Sequence, residues 1–274
     1  MQFADPDDHS FNASRRFTDR QTSAFVVHNA SEQLPPVRKA LPRVSPLSLD
    51  EEDALITVLR DIITQEREVE EMKIRLTQQG DFNLQDAFQM LDAHKKGWVT
   101  APDLHDTLLD FGIYCHKDDV YAFVRKFDHD SDGRLLFSDF CDAFTPNDSY
   151  YVHVLNNRQP HFCHAGVSRF NFFTTSTRDM LFRCFKTHFS AEESCNLAKK
   201  RLARRPRFNV RDIFRYLDNI ESGVLSKECL KTALADNQHH VSESELTWLF
   251  DRFDRTKSGR VNYQQFAEGL MPNN

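Results

Sequence analysis

The feature that most constrains this chain is an internal repeat with an offset of 126 residues. When the sequence is shifted against itself by that distance, residues 82–147 fall on residues 208–273 without a gap, and seventeen of the sixty-six paired positions are identical. The identical pairs are mostly aspartates, glycines and apolar residues, such as Asp92 with Asp218. Chance would leave only scattered identities, so self-similarity of this extent indicates a duplicated domain.

Each copy contains a second, shorter repeat, so the chain holds four similar units. Every unit starts with an aspartate that is followed five residues later by a glycine, and the two aspartates of a copy are 36 residues apart. These aspartates are Asp92, Asp128, Asp218 and Asp254. Apolar residues with the spacing of one helix face precede each aspartate, and Asn83 and Asn209 stand where a helix N-cap is expected. The pattern predicts helix, loop and helix in each unit.

An EF-hand consists of a helix, a twelve-residue loop that starts with aspartate and turns at glycine, and a second helix. The four units therefore resemble those of the calmodulin superfamily, and they cover about half of the chain. The layout, with a long helix before each pair of units, is similar to that of multi-EF-hand proteins of protist cilia and flagella. The resemblance implies an all-α fold with two EF-hand-pair lobes, each preceded by a long helix, and an extended N-terminal arm.

The second unit has the most complete set of metal ligands. In an EF-hand, carboxylates at loop positions 1, 3 and 5 converge on one cation, position 7 gives a backbone carbonyl, and position 12 closes the shell. The expected ligands are Asp128, Asp130, Asp132, the Arg134 carbonyl and Asp139. Position 12 is the shorter aspartate instead of glutamate, and Leu136 offers no oxygen at position 9. We therefore expect Ca²⁺ binding on the order of 10 µM or weaker, with Mg²⁺ as the alternative ion.

The other three loops lack ligands at essential positions. The first has Lys96 at position 5, where its ammonium repels a cation, and the third has Ile220 and Cys229 at positions 3 and 12. The fourth offers neutral groups after its aspartate, such as Thr256 and Gln265. The negative charge that offsets the dehydration of an ion is therefore missing. We expect one Ca²⁺ or Mg²⁺ site per chain and three loops that keep the fold without a metal.

The repeats and their flanks divide the chain into six segments. They are an extended or disordered arm (1–47), a long helix (48–80), the first EF-hand pair (81–147), a linker (148–175), a second long helix (176–206) and the second EF-hand pair (207–274). Prolines and aromatic residues in the arm fit either a disordered segment or a strap that lies on a partner. The linker has no clear helical period and is long for a plain connection, which suggests packing along a partner.

The two long helices have start signals in the sequence. Ser48 and Glu51 form a capping box before the first helix, and a weaker cap is predicted at Ser176 before the second. Apolar residues from Leu55 to Leu76 form a stripe along the first helix. The stripe is compatible with self-association, with a partner helix, or with packing on the EF-hand pair that follows it.

Composition narrows the classes of function and partner. No apolar run approaches the roughly 20 residues of a membrane span, so no transmembrane segment is expected. No nucleotide-binding glycine loop and no catalytic constellation can be identified, so we predict that the chain is not an enzyme. Six cations lie within residues 199–207 without interleaved stacking aromatics, so nucleic acid is not an expected partner. This run is either a solvated helix end or a contact for an acidic surface, such as a tubulin tail or an anionic membrane.

Three functions remain after these exclusions. The first is a non-enzymatic structural or adaptor protein of a ciliary (axonemal) or other microtubule-based assembly; the others are a soluble calcium sensor and an EF-hand regulatory subunit of a phosphatase or kinase. One complete loop of four disfavours the sensor, because sensors rely on paired sites. The sequence does not separate the first function from the third. We predict the first, in the cytoplasm and cytoskeleton and in the axoneme of a cilium or flagellum, with tubulin and other axonemal proteins as candidate partners.

Overall fold

The computed structural model describes residues 45–161 and 166–273, so residues 1–44 of the predicted arm lie outside the described residues. These residues are mostly helical, which confirms the all-α prediction. The helices are α1 (Leu49–Thr77), α2 (Leu84–Leu91), α3 (Ala101–Asp110), α4 (Lys117–Phe127), α5 (Phe137–Phe144), α6 (Ser149–Asn156), α7 (Thr175–Ala203), α8 (Val210–Leu217), α9 (Lys227–Asp236), α10 (Glu243–Asp251) and α11 (Tyr263–Leu270). The strands are β1 (Trp98–Thr100), β2 (Arg134–Leu136), β3 (Val224–Leu225) and β4 (Val261–Asn262). Within the described ranges, no helix combines the length and the apolar character that crossing a membrane requires.

The first helix of each EF-hand pair begins at the cap that the sequence predicts. The side-chain carbonyl of Asn83 accepts a hydrogen bond from the backbone N–H of Asp86 at 2.8 Å, and that of Asn209 accepts one from Arg211 at 3.0 Å. Such a bond satisfies an N–H group that the first helical turn leaves without a partner. Both predicted N-caps are confirmed.

A two-stranded antiparallel sheet joins the two loops of each EF-hand pair. Strand β1 pairs with β2, with Val99 opposite Leu135, and β3 pairs with β4, with Leu225 opposite Val261. All four side chains are at most 1% exposed. Each of these residues stands at loop position 8, so an apolar residue at that position lies in the paired strand of every loop. The sheet fixes the spacing of the two loops within a pair.

The two long helices show that the duplication extends beyond the EF-hand pairs. Helices α1 and α7 each have 29 residues, and their corresponding ends are 126 residues apart. Helix α1 begins after Ser48, whose N–H and hydroxyl donate to the Glu51 carboxylate at 2.9 and 2.8 Å. The predicted cap at Ser176 is wrong, because that residue lies inside the first turn of α7. The cap is Thr174, whose hydroxyl oxygen accepts from the N–H of Thr177 at 3.3 Å.

Helices α1 and α7 pack along each other and cross from one EF-hand pair to the other. The first half of α1 and the second half of α7 share an apolar core with the second pair, and we call this assembly lobe 2. Its core includes Leu55, Leu59, Ile62, Cys195, Leu202, Phe250 and Phe266. The end of α1 and the first half of α7 share a core with the first pair, which forms lobe 1. Its core includes Leu76, Phe123, Phe140, Phe144, Leu181 and Phe185.

The crossed packing of α1 and α7 shows which residues the apolar stripe on α1 contacts. Leu76 packs on the EF-hand pair that follows the helix, whereas Leu55 and Ile62 pack on the pair from the other copy. The stripe is therefore shared between both lobes and does not pack on its own pair alone. Because each core combines one end of α1 with the opposite end of α7, the two long helices are antiparallel.

The segment between the two copies closes lobe 1. It contains α6 and a 3-10 turn, although its sequence has no clear helical period. Leu155, Phe172 and Phe173 are buried in the core of lobe 1. The Arg158 guanidinium donates three hydrogen bonds of 2.7–2.8 Å to backbone carbonyls at and after the end of α1. The buried apolar side chains of this segment and Arg158 thus pack within lobe 1.

Four charged side chains join the two lobes, and we call them the interlobe quartet. Lys126, near the end of α4, lies 2.8 Å from Glu66 of α1 and 3.0 Å from Glu192 of α7. Arg252, directly after α10, lies 2.7 Å from Glu66 and donates to Glu192 at 2.9 Å. None of these side chains is more than 16% exposed. Glu192 corresponds to Glu66 and Arg252 to Lys126 in the repeat, so the charges have a pseudo-twofold arrangement.

The interlobe quartet is fully ionised at neutral pH. Burial acts to raise the pKa of Glu66, but the Lys126 and Arg252 charges outweigh it and lower this pKa to about 2. The pKa of Glu192 is also lowered, because Arg252 and Lys126 overcome the opposing effect of burial. Two carboxylates and two cations therefore leave the buried cluster without net charge.

The basic residues at the end of α7 differ in exposure: four arginines are exposed, Lys200 is half-buried and Lys199 is buried. The exposed side chains form what we call the basic patch: Arg201, Arg204, Arg205 and Arg207. Lys199 is only 9% exposed and lies beside a cavity between the lobes. The interpretation of the whole run as one solvated helix end or one contact surface is therefore wrong for Lys199, which packs inside the molecule.

Candidate metal centre

Each of the four loops is closed by its first aspartate. In the second loop the Asp128 carboxylate accepts hydrogen bonds from the backbone N–H groups of Asp132 at 3.2 Å and Gly133 at 2.8 Å. The first aspartates of the other loops accept equivalent bonds from the N–H groups four and five residues later. An aspartate at position 1 therefore holds the loop together by itself, and its presence alone does not indicate a metal site.

The second loop brings three carboxylates together. Oxygens of Asp128, Asp130 and Asp132 all lie within 4.8 Å of one another, and no other such group of acidic, histidine or cysteine side chains occurs among the described residues. Gly133 makes the turn with a φ of 79°, a conformation that side chains disfavour. Asp128 is buried, whereas Asp130 and Asp132 are exposed, so the cluster opens to solvent. Oxygen ligands with this concentration of negative charge fit a hard cation such as Ca²⁺ or Mg²⁺.

The fourth predicted carboxylate, Asp139, is not part of this cluster. It lies in the first turn of α5, where one oxygen accepts from the N–H of Leu136 at 2.9 Å. Its other oxygen lies 3.4 Å from Nδ1 of His129. To close the shell around an ion, Asp139 has to exchange its contact with His129 for a contact with the metal. Its role as a ligand stays a prediction.

Arg134 occupies the predicted position at the start of β2. Its guanidinium lies over the ring of Trp98, with 4.7 Å between the guanidinium carbon and the ring centroid. Its Nε atom is 3.7 Å from an Asp132 oxygen, so the side chain offsets part of the negative charge of the cluster. Only the backbone carbonyl of Arg134 was predicted as a ligand, and that role also stays a prediction.

A chain of side chains connects the second loop to the fourth loop in lobe 2. Nε2 of His129 lies 3.8 Å from Asp142, and Asp142 accepts a hydrogen bond from Lys257 of the fourth loop at 2.6 Å. His129 also contacts Asp139, so the chain starts at a predicted metal ligand. The Lys257 side chain is 64% exposed, and exposed ion pairs are each weak. The connection can therefore transmit only a small change in energy between the loops.

In the first loop a lysine takes the place of a cation. Nζ of Lys96 lies 2.7 Å from an oxygen of Asp103 at position 12. The N–H and hydroxyl of Thr100 donate to the same carboxylate at 3.1 and 2.7 Å. Burial opposes the shift, but these bonds lower the pKa of Asp103 to about 2. The internal ion pair supports the prediction that this loop holds no metal.

Hydroxyl, thiol and amide groups replace carboxylates in the third and fourth loops. Ser222 and Ser258, at position 5, donate to the first aspartate of their loops at 3.0 and 3.1 Å. Position 12 carries the Cys229 thiol in the third loop, and in the fourth loop it carries Gln265, whose amide donates to Thr256 at 3.3 Å. One carboxylate remains among the ligand positions of each loop, which is little charge for holding a divalent ion.

The interlobe quartet, which lies next to these loops, was not predicted. Lys126 and Arg252 each stand two residues before the first aspartate of a loop, so the quartet adjoins the second and fourth loops. A sequence signal for it exists, because Glu66 matches Glu192 at the same offset of 126 residues, upstream of the region in which the repeat is obvious. The two acids at equivalent positions, Glu66 and Glu192, could therefore have been identified from the sequence.

Comparisons with known proteins agree with the helix–loop–helix geometry. The family model for the EF-hand domain pair matches residues 81–145 and again residues 207–271. Human centrin-3 is 18% identical over 208 residues, which cover 76% of this chain and 93% of that protein. Troponin C isoform 3 of Drosophila melanogaster is 22% identical over 185 residues, 68% of this chain and 87% of that protein.

A further relative is much longer than the matched region. Human EF-hand calcium-binding domain-containing protein 6 is 19% identical over 187 residues, which cover 66% of this chain but only 11% of that protein. Its match therefore covers only a small part of that relative. The two matched domain pairs, the four closed loops and the paired position-8 strands lead to one assignment. The chain carries two EF-hand domain pairs in tandem and is similar to calmodulin-like EF-hand proteins.

Proposed function

We propose that this chain is a non-enzymatic structural or adaptor protein of a ciliary, axonemal or other microtubule-based assembly, with one divalent-cation site. The observation that carries the proposal is that each EF-hand pair already packs on halves of two long helices of the same chain. In an EF-hand sensor, ion binding exposes an apolar groove that takes up a helix of another protein. Here the chain's own helices fill the apolar faces of both pairs, which favours a fixed shape over recruitment of a target.

We place the cation, Ca²⁺ or Mg²⁺, in the second loop. The clustered oxygens of Asp128, Asp130 and Asp132 support this assignment, and the name of one relative, EF-hand calcium-binding domain-containing protein 6, agrees with it. The Arg134 carbonyl and Asp139 complete the proposed ligand set. A bound cation would supply positive charge that draws these oxygens together. The bonds from the backbone N–H groups of Asp132 and Gly133 to Asp128 would hold the loop in the conformation that presents these oxygens.

Calorimetry with matched variants tests the metal site. We expect at most one Ca²⁺ per chain, and no binding by Asp130→Ala. Asp130 is the cleaner target, because Asp128 also bonds to the backbone of its own loop. Asp128→Ala should abolish binding as well. Asp118→Ala, which removes an exposed acid from α4, should leave the affinity unchanged. Two or more sites of similar affinity would contradict the proposal.

The basic patch is the surface that we assign to an acidic partner such as a tubulin tail. Co-sedimentation with microtubules should show binding that weakens as salt rises, because exposed charges are screened within about 8 Å at physiological salt. Arg204→Gln with Arg205→Gln should lower the bound fraction. The control Arg183→Gln with Lys186→Gln removes the same charge from exposed positions in the first half of α7 and should bind normally. Equal loss in both variants would count against the patch.

The second candidate function is a soluble calcium sensor. The contact from His129 through Asp142 to Lys257 favours it, because it connects the metal loop with lobe 2. Localisation of the tagged protein separates the two functions. A structural protein stays on cilia or microtubules when Ca²⁺ is chelated, whereas a sensor is diffuse and moves only when Ca²⁺ rises. A phosphatase or kinase that co-purifies after mild salt extraction would instead identify a regulatory subunit.

A further inference from the structure

A cavity of about 260 Å³ lies between the two lobes beside the interlobe quartet. Much of its lining comes in pairs that the 126-residue repeat relates. These pairs include Lys73 with Lys199, Lys126 with Arg252, and Asn147 with Asn273. The cavity therefore exists only because the two copies pack together, and it adjoins the second and fourth loops, since Asp128 and Asp254 are part of its lining.

The two lysines of this cavity have different surroundings despite their equivalent positions. Lys73 lies 3.9 Å from the Glu70 carboxylate and donates to the Thr145 carbonyl at 3.4 Å. The residue equivalent to Glu70 in the second copy is Asn196, which bonds to the backbone of Asn273 at 2.8 Å. Lys199 has therefore lost the acid that accompanies Lys73. Although it is nine-tenths buried, it makes no hydrogen bond or ion pair with the described residues.

A second donor at the cavity is also without an acceptor. Trp248 of α10 lines the same space, and its indole Nε1 is buried without a hydrogen-bond partner among the residues described. A buried donor without an acceptor, such as Nε1 of Trp248, loses the bonds that it makes in water. The pKa of Lys199 is lowered to about 8 by burial and by the nearby Arg252, although Glu192 opposes the shift, so its ammonium is still charged at neutral pH.

None of the acids around the cavity bonds to Lys199, and most of them already have partners. Glu66 and Glu192 are bonded to Lys126 and Arg252 in the interlobe quartet. Asp142 is paired with Lys257. The first aspartates of the second and fourth loops are bonded to backbone amides. The space between the lobes thus combines two donors that lack acceptors with acids that, apart from Asp251, have partners of their own.

We propose that this cavity binds an oxyanion of the phosphate or sulfate class, free or as the phosphoryl group of a small molecule. The Lys199 ammonium provides the charged hydrogen bond, and Nε1 of Trp248 provides a neutral one. Charge-assisted bonds of this kind are short and strong. A water molecule accounts for about 30 Å³ of liquid, so the cavity also has room for an organic part. An anion bound here contacts residues from both copies and stabilises their association.

Intrinsic fluorescence can follow this binding, because the chain has two tryptophans. Trp98→Phe leaves Trp248 as the only reporter. Metal-free protein is titrated with sodium sulfate at constant ionic strength, with sodium chloride as the reference, and the affinity is checked by calorimetry. We expect a saturable change with sulfate and none with chloride. Lys199→Met should weaken sulfate binding about tenfold or more, as the loss of a charge-assisted bond implies.

Lys200→Met is the matched control, because it removes the same charge from the next residue, which does not line the cavity. It should bind sulfate like the parent protein. Thermal unfolding gives a second readout: sulfate should raise the midpoint of Lys200→Met more than that of Lys199→Met, since only specific binding depends on the cavity. An unsaturable response, or equal affinities of the two variants, would overturn the proposal. Tighter binding of pyrophosphate or a sugar phosphate would identify a phosphorylated small molecule, and equal binding would identify the free anion.

Discussion

Replacement of Arg252 by methionine tests how the two lobes are joined. The Arg252 side chain is 9% exposed and contacts both carboxylates of the interlobe quartet. Without it, Glu66 and Glu192 share only Lys126, and the buried cluster changes from neutral to a net charge of one negative unit. Removal of one partner from a buried ion pair costs about 3–5 kcal/mol, because the remaining charge stays desolvated. The free energy of unfolding of Arg252→Met should fall by about this amount.

Urea and thermal unfolding measure the effect. For a domain of this size, each kcal/mol shifts the thermal midpoint by about 2–4 °C, so Arg252→Met should unfold roughly 6–20 °C below the parent protein. The control is Arg67→Met, which removes a partly exposed ion pair between α1 and Glu245 of α10. Because exposed pairs contribute about 0–1 kcal/mol, the control should shift the midpoint by only a few degrees.

A second substitution distinguishes loss of charge balance from loss of packing. In Arg252→Met with Glu192→Gln, one carboxylate faces one ammonium, so the buried charge is balanced again. The double variant should be more stable than the sum of the single effects implies, with a coupling of about 0.5–3 kcal/mol. A loss below about 1 kcal/mol in Arg252→Met, or strict additivity in the double variant, would refute the argument.

Asp139→Glu should raise the Ca²⁺ affinity of the second loop about tenfold, because the longer carboxylate reaches the ion with both oxygens; unchanged calorimetry would exclude Asp139 as a ligand. The pKa of Glu66 is lowered from 4.5 to about 2, so the stability from this carboxylate is complete above about pH 4.5 and is lost as the pH falls towards 2. The thermal midpoints of the parent and Arg252→Met should therefore converge over this range, and a constant difference would contradict the ionised quartet. Leu59→Ala should cost about 2–5 kcal/mol, and hydrogen exchange should increase in the second EF-hand pair; an increase confined to the first pair would exclude the crossed packing.

The loops, caps and strand pairs were predictable because each depends on residues that are close in sequence. Asn83 caps the helix that directly follows it, and Gly133 makes a turn within its own loop. The apolar position-8 residues pair within one duplicated unit of known spacing. Local bonding and the 126-residue offset therefore define the EF-hand pairs without any information about distant contacts.

The crossing of the long helices was not predictable from the same patterns. The stripe from Leu55 to Leu76 shows that one face of α1 is buried, but the two EF-hand pairs are copies and offer it similar apolar surfaces. A charge such as Glu66 in a helix is usually solvated, and only the packed lobes bring it to Lys126 and Arg252. The orientation of Asp139 also depends on tertiary structure, because its carboxylate contacts the His129 ring. The spacing of residues in the loop does not predict this contact.

The crossed helices have a consequence for biosynthesis. The first EF-hand pair ends at Phe144, but its lobe lacks Leu181 and Phe185 until α7 has left the ribosome. The first half of α1 stays without its packing partner for longer, because its apolar face packs on the second EF-hand pair, whose last helix ends at Leu270. Domains usually fold in order as they are translated, whereas this chain must keep unpaired apolar helix faces throughout synthesis of the second copy. Nascent chains are therefore expected to bind chaperones late into translation, and products truncated between the copies are expected to be degraded.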